Sequence, residues 1–269
     1  MQRFVTGACL AVMLAVVLAL GGWVFSIVAL LAIGLALHEE YNALTAAGHR
    51  PVSWPTWVGF VATAPLVLSH SYRIIVPVLM GICIVTFAQV IFREKPKLED
   101  ALMSILPLLS ISLPGMFLIS FTSVSSKALE VTLLCLVFVI AVLGDTMAYF
   151  VGSHVGGRKL CPAASPKKTV SGAIGGLIGS VIGAFLVGGV AALCAPASAP
   201  LLPPAWHYLL LGLIGGVAAQ IGDLFASMVK RHCGIKDFSG MFPGHGGMMD
   251  RLDSILFVTM IVFCYRMML

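Results

Sequence analysis

Charged side chains are scarce in this sequence: Asp, Glu, Lys and Arg make up 10% of its 269 residues. A soluble domain carries about a quarter. With 59% hydrophobic residues and a mean hydropathy of +1.05, the chain has more apolar surface than a soluble core of this size can hide. Most of it must therefore face lipid or other buried helices, which makes this a polytopic membrane protein. The excess of 16 basic over 11 acidic residues gives +5, too small and too scattered for a nucleic-acid binder. The seven cysteines form no CxxC pair or metal-ligand spacing, and Cys9, Cys83, Cys135, Cys194 and Cys264 lie inside apolar runs. They read as small buried hydrophobes rather than a disulfide framework. The first apolar run reaches Gly21-Gly22 without a convincing small-x-small cleavage site, so residues 5–22 read as a membrane helix rather than a secretory signal.

Apolar runs follow at about 23–37, 54–69, 74–92, 101–121, 129–152, 170–193, 206–229 and 252–268. Each is near the ~20 residues that cross a ~30 Å hydrocarbon layer. The expected fold is thus all-α, a helical bundle of about nine transmembrane spans. Gly21-Gly22 and His70-Ser71-Tyr72-Arg73 read as tight turns, and Pro107 and Pro114 predict a kink in the fifth span. Nine crossings put Arg3, Arg50, Arg93, Lys95, Lys97, Arg158, Lys159, Lys167, Lys168, Lys230, Arg231, Lys236 and Arg251 on one side. Only Arg73, Lys127 and Arg266 fall on the other. By the positive-inside rule the amino terminus is cytoplasmic. In the seventh span Gly172, Gly175, Gly176, Gly179 and Gly183 make a small-residue face that lets helix backbones approach closely in lipid.

The few polar residues are not evenly spread. Gln220 to Ser254 holds Asp223, Lys230, Arg231, Lys236, Asp237, His245, Asp250, Arg251 and Asp253. Such a concentration is costly in an apolar chain unless it does chemistry or lines a wet cavity. Read as a helix, Gln220, Asp223, Ser227, Lys230 and Arg231 share one face. Gly234 ends that helix, and the Pro243-Gly244-His245-Gly246-Gly247 turn offers bare backbone N–H groups to an anion before the next helix begins near Met248. Asp145 and Asp223 each lie about seven residues before the basic end of their span, roughly 10 Å deep, which suggests one shared pocket.

The pattern Ser227, Lys230, Arg231, Lys236, Asp237, Pro243, His245, Gly246, Gly247, Asp250, Arg251, Asp253 resembles the signature of the phosphatidate cytidylyltransferase (CDP-diacylglycerol synthase) family. Gly144-Asp145-Thr146-Met147-Ala148-Tyr149-Phe150, Ser165-Pro166-Lys167-Lys168-Thr169 and Gln220-Ile221-Gly222-Asp223-Leu224 agree with it. Met147 stands where the family usually has glycine, and Phe238 where a small residue is common. The likeness covers the C-terminal half, so residues 1–128 read as supporting spans and 129–269 as the catalytic region.

The resemblance implies that phosphatidic acid attacks the α-phosphorus of CTP at the cytoplasmic face of a bacterial-type inner membrane. The products would be CDP-diacylglycerol and pyrophosphate. It implies Asp223 and Asp250 as ligands of Mg²⁺, alone or with a second cation, and Asp145 as a further ligand or orienting group. Lys230, Arg231, Lys236, Arg251, Lys167 and Lys168 would offset phosphate charge, helped by Ser227, Gly246 and Gly247. His245 has either a catalytic or a structural part, and Asp237 and Asp253 orient cations or cap the last helix. A CTP-dependent lipid-alcohol kinase and a cation-coupled transporter are the other classes open to the sequence. The transporter would place functional acids in both halves of an internal repeat, which is not seen. Oligomeric state is left open, a homodimer included.

Overall fold

The computed structural model describes residues 12–68, 75–194, 202–242, 244 and 246–268. Residues 12–20 form α1, and α2 (Gly22–Ala46) starts after a break at which φ is +55° at Gly21 and +50° at Gly22. Side chains rarely adopt that backbone. The place a Gly21 side chain would take is filled by Lys127 and Glu130, so the first two spans stay separate. The part of the first span before residue 12 and the His70–Arg73 turn lie outside the described residues. Next come α3 (Trp54–Leu68) and α4 (Ile75–Ile91).

A single path from Leu98 to Ser123 then forms α5 (Leu98–Pro107), a wide π turn over Leu108–Ser112, α6 (Leu113–Ser120) and a tight 3₁₀ turn at Phe121–Ser123. Pro107 and Pro114 bracket the wide turn, as expected of rings that lack an N–H and crowd the carbonyl four residues back. Within the turn the Ser110 hydroxyl donates to the Leu106 carbonyl at 2.8 Å.

The C-terminal half consists of α7 (Lys127–Val155), α8 (Val170–Cys194), α9 (Ala205–His232) and α10 (Met249–Arg266). Between α7 and α8 stands an antiparallel hairpin, β1 (Lys159–Cys161) and β2 (Ser165–Thr169). Sequence reasoning read this segment only as a basic loop, because strands this short leave no apolar alternation to recognise. Among the described residues each of the nine apolar runs falls on helical segments. Among the described residues Gly22–Ala46, Leu98–Ser123, Lys127–Val155, Val170–Cys194 and Ala205–His232 are long and apolar enough to cross a membrane. Of the remaining helices, α3, α4 and α10 have 15, 17 and 18 residues. The chain is an all-α polytopic membrane protein.

One apolar core joins the two halves: Phe25, Ile33 and Leu37 of α2 belong to it together with Ile119, Leu134, Ile140, Leu256 and Val262. The glycine face of α8 packs on α7 and α9. A side chain on Gly172 would meet the Ala148 carbonyl at 2.8 Å, one on Gly179 the Met147 side chain at 2.6 Å, and one on Gly216 of α9 the Ser180 hydroxyl at 2.8 Å. Met147, the family's usual glycine position, is thus packed against a glycine across the seam. Hydrogen bonds pin the seam where backbones are closest, from Ser180 Oγ to the Ile140 carbonyl at 3.0 Å and from Gln220 Nε2 to the Ala173 carbonyl at 2.9 Å.

The basic residues gather at one end. Arg93 Nη1 donates to the Arg50 carbonyl at 2.7 Å and pairs with Asp100 at 3.3 Å, and His49 stacks on His232 with Nε2 atoms 2.8 Å apart. Lys168 of the hairpin reaches Asp223 of α9, and Lys230 pairs with Asp250. At the opposite end lie Lys127, paired with Glu130 at 3.1 Å, and Arg266, which donates to the Ser120 carbonyl at 2.8 Å. Arg3 and Arg73 lie outside the described residues.

Gly176 sits in the seam, 3.1 Å from Ala148 Cβ on the path of an added side chain, whereas Gly189 of the same helix meets nothing within 4 Å. Gly176→Val should therefore lower the thermal unfolding midpoint in detergent by roughly 5 °C or more, through overpacking. Gly189→Val, with the same change in helix propensity, should move it by about 1 °C or less if burial is what matters.

Candidate active site

At the basic end, α7, α8, α9, α10 and the hairpin enclose an open cleft of about 510 Å³. Four carboxylates line it: Asp145 from α7, Asp223 from α9, and Asp250 and Asp253 from α10. Lys167 and Lys168 of the hairpin and Arg251 of α10 face the same space, with Tyr149 and Gln220. The shared pocket expected from the matched depths of Asp145 and Asp223 is present, and the glycine seam is what brings their helices together.

The acids differ in what already holds them. Asp145 Oδ2 accepts the Ser254 hydroxyl at 3.1 Å, and Asp253 Oδ1 accepts the Ser254 N–H at 2.8 Å, so α10 is tied to α7 beside both groups. Asp223 is ion-paired with Lys168, its side chain still 29% exposed to the cleft. Asp250 is the most fully engaged. Its Oδ1 takes the Lys230 ammonium at 2.6 Å, and its Oδ2 accepts the Phe238 and Gly247 N–H groups at 2.9 Å each. Phe238, the second departure from the family pattern, lies with its ring 5.5 Å from the Lys230 nitrogen and helps enclose this pair. In the present structure Asp250 organises a loop as much as it faces the cleft.

The other expected site residues are distributed unevenly. Lys167, Lys168 and Arg251 stand on the cleft, while Ser227, Arg231 and Lys236 do not line it. Arg231 Nη1 instead donates to the Ile235 carbonyl at 3.1 Å and closes the end of α9. Lys236 and Asp237 are exposed. The glycine-rich turn has φ +77° at Gly246, as a bare turn requires, but the Gly247 N–H and the two that follow it are directed at the protein's own carboxylates. Gly247 donates to Asp250, and Met248 and Met249 donate to Glu39 of α2 at 3.0 and 2.8 Å. His245 and Pro243 lie outside the described residues.

From the sequence, Asp253 orients cations or caps the last helix, and Glu39 and Glu40 sit at the membrane surface, with the orienting of a cytoplasmic loop as the alternative for one of them. Asp253 was legible, because i, i+3 spacing puts it on the face of Asp250. Glu39 carried no signal beyond being an acid in an apolar helix.

Among the described residues no three His, Cys, Asp or Glu side chains converge closely enough to hold an ion by themselves. Magnesium does not ask for that: it usually takes one or two carboxylates and completes its shell with water and substrate phosphate. Asp145, Asp223 and Asp253 are oxygen donors on three helices facing one cleft, a set suited to a hard cation. Cys233, at the end of α9, is not a nucleophile in waiting, because burial and then the nearby Glu40 carboxyl raise its thiol above the ordinary range.

The Lys230–Asp250 pair has side chains only 12% and 4% exposed, so removing one member strands the other charge in a poorly hydrated site. Lys230→Met is expected to destabilise the protein by about 3 kcal/mol. Lys230→Met combined with Asp250→Asn should recover part of that loss, a non-additivity readable in denaturant or thermal unfolding.

A sequence profile described as the cytidylyltransferase family matches residues 1–269. Among curated relatives, the phosphatidate cytidylyltransferase of Brucella abortus biovar 1 is 34% identical over 157 residues, covering 56% of this chain and 55% of that protein. The protein of the same name from Bacillus subtilis strain 168 is 43% identical over 114 residues, 42% of this chain and 39% of its own length. That from Staphylococcus epidermidis RP62A is 35% identical over 151 residues, 56% and 54% respectively. The chain thus spans about half the length of the curated relatives it matches. The match across the whole sequence, together with the acids and lysines that the fold gathers into one cleft, places this chain in the cytidylyltransferase family.

Proposed function

We propose that the protein is a phosphatidate cytidylyltransferase, transferring CMP from CTP to phosphatidic acid at the cytoplasmic surface of a bacterial-type inner membrane. The observation that carries the proposal is the cleft itself. Carboxylates from α7, α9 and α10 and cations from the hairpin and α10 meet at the membrane end where nearly all basic residues lie. Two anionic reactants repel each other, and their reaction needs that repulsion cancelled before any bond changes.

In this mechanism the phosphate oxygen of phosphatidic acid forms a bond to the α-phosphorus of CTP while the bond from that phosphorus to the bridging oxygen breaks, releasing pyrophosphate. Lys167, Lys168 and Arg251 bind the phosphates and offset their charge. Lys168 exchanges Asp223 for phosphate as the nucleotide arrives. Asp223, Asp145 and Asp253 would between them offer the one or two carboxylates that hold Mg²⁺, which would supply charge compensation to the triphosphate. Asp250 and Lys230 keep the loop and the first turn of α10 in place around the bound pair. No covalent intermediate on the protein is required, since the lipid phosphate is itself a nucleophile.

With purified protein, phosphatidic acid in mixed micelles and Mg²⁺, label from the α-phosphate of CTP should pass into chloroform-soluble lipid, with pyrophosphate as co-product. Formation of CDP instead would identify a lipid kinase and sink the proposal. Asp223→Asn and Asp253→Asn should each lower turnover about 100-fold or more and shift the Mg²⁺ dependence to higher concentration. Asp250→Asn should lower turnover without that shift, because its carboxylate serves the loop.

Orientation has its own test in whole cells. A cysteine placed at Lys95 should resist a membrane-impermeant maleimide from outside, and one placed at Lys127 should react. The reverse pattern would put the cleft on the wrong face for CTP.

A further inference from the structure

We propose that Glu39, in the N-terminal half, is a positioning residue for this reaction. It fixes the loop before α10, and the first turns of that helix, against the cleft. The inference rests on the cytidylyltransfer reading above.

Glu39 is only 5% exposed, inside a 25-residue apolar helix. A carboxylate so placed is costly unless its oxygens are supplied with donors. All three recorded donors come from one segment about 200 residues away. Ser239 Oγ at 2.6 Å and the Met248 N–H at 3.0 Å reach Oε1, and the Met249 N–H at 2.8 Å reaches Oε2. Among the described residues no cation pairs with Glu39. Its charge instead faces the start of α10, where unpaired N–H groups and the helix dipole favour an anion. The carboxylate also fills the space a side chain on Gly247 would need, 2.5 Å from Oε2, which accounts for the glycine there.

What these bonds hold is the frame of the site. The first turns of α10 present Asp250, Arg251 and Asp253 to the cleft. Asp250 grips the same loop from the other side, through the Phe238 and Gly247 N–H groups and Lys230. The loop is therefore clamped between one carboxylate from α2 and one from α10. Both oxygens of Glu39 are engaged by the protein, so it acts through α10 and does not touch the substrate. A one-atom change that keeps its size but turns one acceptor into a donor should loosen the loop and rotate the acids of α10 out of line.

The test uses the full-length protein in detergent–phosphatidate mixed micelles with labelled CTP. Glu39→Gln should lower kcat about tenfold or more, in proportion to a lost charge-assisted hydrogen bond, and leave the KM for CTP within about twofold. Its thermal midpoint should stay within roughly 3 °C of the parent, while tryptic cleavage after Lys236 becomes several-fold faster. Gly247→Ala should also lower kcat, and in the Glu39→Gln background it should add little, since both act through one contact.

Unchanged kcat and unchanged cleavage in Glu39→Gln would overturn the inference. So would a loss of activity that merely tracks a loss of folded protein. If Glu39→Gln does not fold, Ser239→Ala and Gly247→Ala decide the matter, and wild-type turnover in both would overturn it. If the parent protein moves no label into lipid, the functional reading fails instead. The clamp is then judged by the cleavage arm alone, with equal cleavage of parent and variant counting against it.

Discussion

Close approach of α7, α8 and α9 across glycine is the constraint from which the rest of the site follows. In lipid the removal of apolar surface from water no longer drives helices together, so dispersion contact and interhelical hydrogen bonds must do so, and both need short backbone separations. Gly172, Gly176 and Gly179 remove the side chains that would prevent contact, and Ser180 and Gln220 add bonds to opposing carbonyls. Asp145 and Asp223 then face one cavity because their helices have no room to turn away. Bulk added at this seam would act on chemistry through geometry, without touching any polar group.

Carboxylates divide into two kinds around that cavity. Glu39 and Asp250 are saturated with donors and shape the loop; Asp145, Asp223 and Asp253 have fewer partners and face the space a substrate would fill. Burial makes the first kind expensive and therefore fully bonded. Asp145 and Asp223 tolerate partial bonding because they face an open cleft flanked by Lys167, Lys168 and Arg251, whereas Asp253 is itself buried. Acids of both kinds lie within a few residues of each other on α10, so the helix start is both a joint and a wall of the site.

Much of this was legible in the sequence because the signals were local. Apolar runs of membrane length became helices, the two prolines bracketed the wide turn of the fifth span, and the small-residue face of α8 became a packing seam. Equal depth of Asp145 and Asp223 correctly foretold a shared cavity. The β1–β2 hairpin was not legible, since a three-residue strand has no period to detect. Nor was the engagement of Asp250 by Lys230, which depends on the path of a glycine-rich turn. Glu39 was the hardest case: the sequence admits an acid of α2 orienting a loop, but not which acid or which loop, because its partners stand two hundred positions away.

The hairpin carries Lys168, which pairs with Asp223 of α9. The cleft thus brings its own counter-ion, mounted on two short strands rather than on a membrane-embedded helix. In the proposed reaction, exchanging carboxylate for phosphate would ask only a side chain on a short hairpin to change partners. Such an exchange would leave the membrane-embedded helices, and so the bilayer around them, where they stand.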